Sequence, residues 1–323
     1  MSDAPLAIVG NLNLDLWVGP VERFPRTDEE LLADSARLEL AGSAGYMLQA
    51  ALALGIEPRV VSTIGDDAFG DVLRHEMARL GATVRGVETL PGEETSLGII
   101  FVAPDGSRAI LSTLGAHKAM DPVVARRHDA FVADCPAAIL CGAYLLPRFG
   151  PDAIRPYAEH LRRRGQLVAF DPSWDPAGWG EATRTATFRL LPAVDVYLPN
   201  EFELLALTGR DSLEEAVVEA AAVAGEVVVK RGAAGALYAR GDERIAAPAP
   251  PVAVSNTIGA GDVFDVGYLY ARRRGDAPRE RLCFANALAG LVISQPGRRT
   301  YPSVGEVETA MRRAACAGEE APA

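Results

Sequence analysis

Short apolar runs without polar alternation recur along the chain, at 6–10, 59–65, 137–142, 166–172, 194–199 and 227–232. This pattern constrains the fold more than any other feature. A strand with one wet face alternates apolar and polar side chains, whereas a run that is apolar throughout is buried on both faces, as in a parallel sheet. Stretches of helical periodicity at 44–54, 68–80, 152–164, 201–207, 213–224, 262–274 and 279–294 lie between and after the runs and supply the cover. Ser212 with Glu215 reads as a capping box, and Arg272-Arg273-Arg274-Gly275 as a helix C-terminus. Strand–helix alternation sustained over this length specifies an α/β fold with helices on both faces of the sheet.

Two segments break the alternation. Residues 12–40 and 95–114 read as hairpin material, the second with an Asp105-Gly106 turn between 97–103 and 109–113. A small antiparallel sheet standing off the main one would act as a lid; an edge extension of the main sheet is the other arrangement these segments allow. From 314 the chain is rich in Ala, Gly and Glu and reads as a frayed, disordered tail, which leaves one domain over 1–313.

The net charge of −11 argues against nucleic acid or an anionic membrane as partner. No apolar segment is long enough to span a bilayer, and no basic stretch followed by an apolar run marks a signal peptide. Cys135, Cys141, Cys283 and Cys316 fit no metal spacing and are too few for a disulfide scaffold, so a reduced, cytoplasmic protein is the expectation. The four histidines are scattered and read as surface residues. Lys118 and Lys230 are the only lysines, which singles out Lys230 at the end of an apolar run.

The chemistry concentrates at Asn256-Thr257-Ile258-Gly259-Ala260-Gly261-Asp262-Val263-Phe264. Gly259 and Gly261 around Ala260 permit a tight turn that opens a helix, and a helix N-terminus gathers N–H donors and positive dipole into an anion site. Asp262 stands at the same spot. One reading of it is a helix cap, a role in which Asp is favoured. Beside an anion hole, however, a carboxylate can also take a proton from a hydroxyl, a combination suited to phosphoryl transfer from a nucleotide to an alcohol. Asn13 and Asp15 follow the first apolar run two residues apart, on one face, as an Asx turn or a pair for vicinal hydroxyls. Gly42, among small residues opening the first helix, allows close approach of a ligand or tight helix–sheet packing. Asn200 and Glu203 form a capping box, or serve Mg²⁺ through water and touch nucleotide phosphate. Gly232 and Gly235 after Lys230 mark a flexible turn. No Gly-Lys-Ser/Thr phosphate loop is present, and 259–261 lacks the dinucleotide fingerprint.

These pieces, in this order, resemble the ribokinase-like (PfkB) family of carbohydrate kinases over nearly the whole chain. The stretch 257–264 carries the resemblance most specifically. Gly10-x-x-Asn13-x-Asp15, Gly42, Gly65-Asp66-Asp67-x-x-Gly70, Asn200-x-x-Glu203, Lys230-x-Gly232-x-x-Gly235 and Ala285-Asn286-Ala287 support it. The resemblance implies a doubly wound, mostly parallel sheet with a β-sheet lid, and ATP and Mg²⁺ as cofactors. It implies Asp262 as base and Gly259, Ala260 and Gly261 as the hole for the transferred phosphoryl group. Asn200 and Glu203 would serve Mg²⁺–phosphate, Glu203 through water; Lys230, Gly232, Gly235, Thr257 and Asn286 would serve the nucleotide; Asn13, Asp15 and Gly42 would hold the acceptor.

Three departures from the family pattern bear on the acceptor and on ions. Tyr46 stands where an Asn commonly touches sugar. Asp175, in Asp171-Pro172-Ser173-Trp174-Asp175, stands where kinases of acidic sugars carry Arg. Asn256 replaces an Asp that lies near a monovalent cation in some members, which weakens such a site. The expectation is an ATP-dependent kinase of a neutral sugar or nucleoside, with Tyr46, Trp17 and Tyr144 shaping specificity. The alternatives are a ligand sensor without turnover and a kinase of phosphosugars, for which Arg108 and Lys118 are the basic lid residues. An unpaired lid edge makes a homodimer plausible.

Overall fold

The computed structural model describes residues 4–104, 108–295 and 300–319. The strands in chain order are β1 (Leu6–Gly10), β2 (Asn13–Gly19), β3 (Ser35–Ala41), β4 (Pro58–Gly65), β5 (Val87–Leu90), β6 (Leu97–Val102), β7 (Arg108–Ser112), β8 (Ala137–Cys141), β9 (Leu167–Phe170), β10 (Val196–Tyr197), β11 (Glu226–Lys230), β12 (Ala236–Arg240) and β13 (Glu243–Ala247). The helices are α1 (Gly42–Ala53), α2 (Ala68–Arg79), α3 (Pro122–Arg127), α4 (Pro151–Arg163), α5 (Glu181–Leu190), α6 (Glu201–Thr208), α7 (Leu213–Ala221), α8 (Ala260–Arg274), α9 (Pro278–Ile293) and α10 (Val304–Glu319).

The apolar runs became the parallel core of a sheet ordered β13-β12-β11-β10-β9-β8-β1-β4-β5. From β11 to β5 every pairing is parallel, and β12 and β13 add an antiparallel edge. Successive side chains of one strand enter different cores, as the two-residue period requires. Ile8 and Val228 pack with Met47 of α1, Phe264 of α8 and Leu288 of α9, while Val9, Val227 and Val229 pack with Ile154 of α4, Leu204 of α6 and Val217 of α7. Each such fully buried side chain stabilises the fold by about 1.5–3 kcal/mol.

The lid is a separate sheet, ordered β3-β2-β6-β7, and not an extension of the main one. Of the hairpin turn expected at 104–107, residues 105–107 lie outside the described residues. Helix α10 runs to Glu319, into the segment read from composition as a tail; Ala and Glu are strong helix formers. Residues 320–323 lie outside the described residues. His117 corrects the expectation of surface histidines. It is fully buried, its Nε2 lies 3.0 Å from Leu12 O, and burial pulls its pKa down to about 4, so it is neutral at pH 7.

The parallel topology positions the site. The chain winds from β1 to β4 and β5 in one direction and from β8 to β11 in the other, so the order reverses beside β1. Every parallel strand ends on the same side, and the ends of β1, β9, β10 and β11 with the residues that follow them bring Asn13, Asp171, Asn200 and Lys230 to one edge, where open α/β sheets bind ligands.

Candidate active site

A cavity of about 700 Å³ lies along that edge. Asp262, Gly261, Ala260 and Thr257 line it, together with Asn200, Glu203, Lys230, Gly232, Gly235 and Asn286. Ten of the expected residues, from three helices, the end of β11 and three connecting segments, therefore share one space.

Helix α8 begins at a left-handed cap. Gly259 has φ 72°, and its missing side chain is required twice, because a Cβ there would lie 2.6 Å from Cγ of Tyr46. The cap being Gly259, Asp262 is the third helical residue and not the cap itself. The Ala260 N–H donates to Thr257 O at 3.2 Å, so this amide of the expected anion hole is committed within the turn. The first N–H groups of an α-helix have no acceptor one turn back within the helix, and Gly261 at this N-terminus lines the cavity. Asn256 Oδ1 accepts from Ile258 N–H at 3.0 Å, an Asx turn leading into the motif.

A buried charge cluster supports the floor. Lys230 Nζ lies 3.0 Å from Asp171 Oδ2 and 3.1 Å from Asp265 Oδ1. Burial opposes charge on all three. Lys230 nevertheless holds its proton above the usual lysine range because Asp171, Asp265 and Glu203 surround it. Asp171 stays below the usual carboxylate range against burial, through Lys230, a hydrogen bond with Asp265 and the Ser173 N–H. Burial and the Asp171 carboxylate push Asp265 well above that range. The consistent state is one lysine cation, one ionised Asp171 and one protonated Asp265. Glu203 is pushed up to about 7 by burial and by Asp171, against Lys230 and the Asn200 N–H.

Asn200 and Glu203 complete both bonds of a capping box at 2.8 Å. Gly232 (φ 55°) and Gly235 (φ 84°) turn the chain after β11, and a Cβ on Gly235 would lie 2.1 Å from Ala247 O. The Asn286 amide donates to Ala247 O and Pro248 O, tying α9 to the loop that forms the far wall. Thr257 Oγ1 accepts from Arg108 Nη2 at 2.6 Å, a link from lid strand β7 to the motif.

Asn13, Asp15, Gly42 and Tyr46 also come together, but outside the cavity lining. Asn13 Nδ2 and the Tyr46 hydroxyl donate to the two oxygens of Asp15, at 2.9 and 2.8 Å, and burial raises the Asp15 pKa to about 6 despite both bonds. A Cβ on Gly42 would meet Asn11 O and Asn13 Oδ1 at 2.5 Å, so the close approach there is by the chain itself. Trp17 and Tyr144 do not line the cavity; Trp17 is buried with Arg37 over its ring, and the Tyr144 hydroxyl pairs with Thr187. Asp175 is buried and accepts from Ala177 and Trp179 N–H, anchoring a turn. Sequence reasoning missed Asp265, Asp171 as an ion partner, and Ser43, Ser173 and Trp174 as cavity residues. A lone carboxylate inside the apolar stretch 263–271, in a chain with two lysines, was the available signal for Asp265.

The sequence profile of the pfkB family carbohydrate kinases matches residues 3–303. The chain belongs to that family. It is a sugar-kinase-type phosphotransferase with an alcohol group as acceptor. A ribokinase of Arabidopsis thaliana is 27% identical over 95% of this chain and 80% of its own length. The structure of an A. thaliana ribokinase complexed with ribose and ATP aligns with a TM-score of 0.82, at 26% identity, over 96% of this chain and 99% of that one. The apo form of a putative ribokinase II from E. coli shares the fold, with a TM-score of 0.84 at 23% identity, over 96% and 99% of the two chains. No helix among the described residues is long and apolar enough to cross a membrane.

Proposed function

We propose that this kinase transfers the γ-phosphoryl group of ATP to a hydroxyl of a small neutral sugar or nucleoside, with Asp262 as general base. One observation carries the reading: Asp262 and Gly261 at the α8 N-terminus line the same cavity of about 700 Å³ as Asn200, Glu203 and the Gly232–Gly235 turn. The complex of the A. thaliana ribokinase with ribose and ATP supports the same pair of substrates.

In this reading the nucleotide lies along Gly232, Gly235 and Asn286, with Thr257 and Lys230 toward its phosphates. The acceptor enters from the side of Gly42 and Ser43, beyond which lie Asn13, Asp15 and Tyr46. Asp262 accepts the hydroxyl proton as the oxygen attacks phosphorus in line, and the Gly261 N–H and the helix dipole offset the developing charge. Among the described residues no three His, Cys, Asp or Glu side chains form a metal cage. That donor set fits Mg²⁺ arriving with the nucleotide, which needs few carboxylates and keeps its waters, with Glu203 and Asn200 at the cavity edge to hold them. Bound there, Mg²⁺ would neutralise phosphate charge. The free thiols Cys135, Cys141 and Cys283 suit a cytoplasmic setting, and Ile110 and Leu111, exposed on lid edge β7, suit a homodimer through the lid.

Replacing Asp262 by Ala or Asn is expected to lower kcat by on the order of 10²–10⁴ with little change in melting. An ADP-release assay over pentoses, hexoses and nucleosides measures it. Wild-type turnover in Asp262→Ala overturns the base assignment. Ligand-induced melting shifts in the wild type without ADP release would instead mark a sensor.

A further inference from the structure

Asp15 is a carboxylate already supplied with donors by its own chain. Asn13 Nδ2 donates to Oδ1, and the Tyr46 hydroxyl donates to Oδ2. Across the lid sheet Asp15 stands in register with Gly98, so close that a Cβ on Gly98 would lie 2.3 Å from Oδ1. The Tyr46 ring, with 5% of its surface exposed, lies against Gly259, between Asp15 and the α8 turn. A phenolic O–H on a carboxylate oxygen is the same charge-assisted bond that a sugar hydroxyl would make there. One helical turn before Tyr46, Ser43 does line the cavity, and its Oγ lies 3.3 Å from Ser173 Oγ. Ser173 holds a left-handed φ of 58°, uncommon for a residue with a side chain, and Trp174 beside it is 58% exposed on the cavity wall.

We propose that Tyr46 is a specificity-determining residue that occupies the acceptor-hydroxyl position on Asp15, so that Ser43, Ser173 and Trp174 read the acceptor in its place. The inference rests on the reading of the cavity as the phosphoryl-transfer site. A site built to bond a hydroxyl discriminates strongly against analogues lacking it, because a buried polar group would be left unpaired. With Tyr46 in place Asp15 is never left unpaired, and that discrimination is lost. The acceptor is then a neutral molecule selected by an apolar ring face against Trp174 and single hydroxyls toward the serines, not by a vicinal diol.

The test is equilibrium binding, which needs no turnover. Methyl β-D-ribofuranoside, whose ring carries a vicinal diol, and its 2-deoxy analogue, whose ring does not, are titrated by calorimetry into wild type, Tyr46→Asn and Tyr46→Ser. Two replacements are made so that the ratio is read on one that retains wild-type melting. The wild type is expected to bind the two sugars within about twofold of each other. The folded variant is expected to prefer the diol about tenfold or more, the scale of a hydrogen bond to a charged group. A wild type that already prefers the diol tenfold overturns the proposal, as does a folded variant whose ratio is unchanged or that binds neither sugar. Absence of ADP release with every acceptor would overturn the kinase reading and leave this ratio readable.

Discussion

Lys230 and Asp265 touch each other, yet their replacement is expected to have very different consequences. Lys230 is the cation against which Asp171 is ionised, in a cluster whose two carboxyls are buried and whose lysine reaches the cavity wall. In Lys230→Met the Asp171 carboxylate is left buried without its counter-ion, and removing one partner of a buried pair costs about 3–5 kcal/mol. Burial pushes Asp265 well above the usual carboxylate range, so it is the carboxyl expected to hold a proton; Asp265→Asn then changes neither charge nor size, its amide can still donate to Asp171, and the expected cost is within about 1 kcal/mol. With an unfolding entropy near 2 cal/mol/K per residue, each kcal/mol moves Tm of a chain this long by roughly 1.5 °C. Lys230→Met should therefore melt about 4–8 °C below wild type at pH 7, and Asp265→Asn within about 2 °C. Scanning calorimetry of both at one concentration, without nucleotide, makes the comparison. Equal losses in the two variants would refute the assigned protonation states, because they would mean that Asp265 is ionised and shares the lysine charge equally.

Glu203→Gln retains a side-chain oxygen for the Asn200 N–H, so the cap and the melting temperature should persist while the KM for Mg²⁺–ATP rises at least several-fold; a cap-only role predicts no kinetic change. Arg108→Ala removes the lid's bond to Thr257 from an exposed position, and is expected to raise the KM for ATP a few-fold with melting shifted by less than about 2 °C. Asp15 titrates near 6 in the fold against a usual 3.8, so the folded state binds its proton more tightly and ionisation weakens folding as pH rises from about 4 to 6. Asp15→Asn removes that cost, so its melting relative to wild type should improve between pH 4 and pH 7, by up to about 3 kcal/mol; an unchanged difference across that range would show that Asp15 is not raised.

The parts of the site that could be read from sequence are those whose geometry is local. A glycine turn into a helix, a cap with its return carboxylate and a lysine ending an apolar run each declare their shape within a few residues. The parallel sheet then brings them together without further information, because every strand delivers its following loop to the same edge. What could not be read depends on distant partners. Strands β12 and β13, with Ala, Arg and Glu in place of continuous apolar residues, exist because β11 offers them an edge. Helix α5 and strand β5 likewise take their place from packing more than from periodicity. The pairing of Asp265 with Lys230 joins residues 35 apart, and Tyr46 meets Asp15 across 31. Glu226 precedes the apolar run at 227–232, yet it is buried within β11, where its carboxylate accepts from Tyr268 and Arg272 of α8.

In the proposed reading, Gly259 is where the acceptor side and the phosphoryl side of the cleft meet. Its φ of 72° alone would tolerate Asn, which visits the left-handed region at modest cost. The Tyr46 ring forbids Asn for a different reason, since any Cβ would enter the ring. The residue must therefore be Gly both for backbone shape and for the space its side chain would take, and the second demand exists only because an aromatic ring stands at 46. A smaller residue at 46 would free Asp15 and relieve the steric demand at 259 together. If the proposed roles hold, acceptor selection and the setting of the anion-binding turn are mechanically joined through one ring, and a change of acceptor preference at Tyr46 would carry with it a change in how firmly the α8 N-terminus is held.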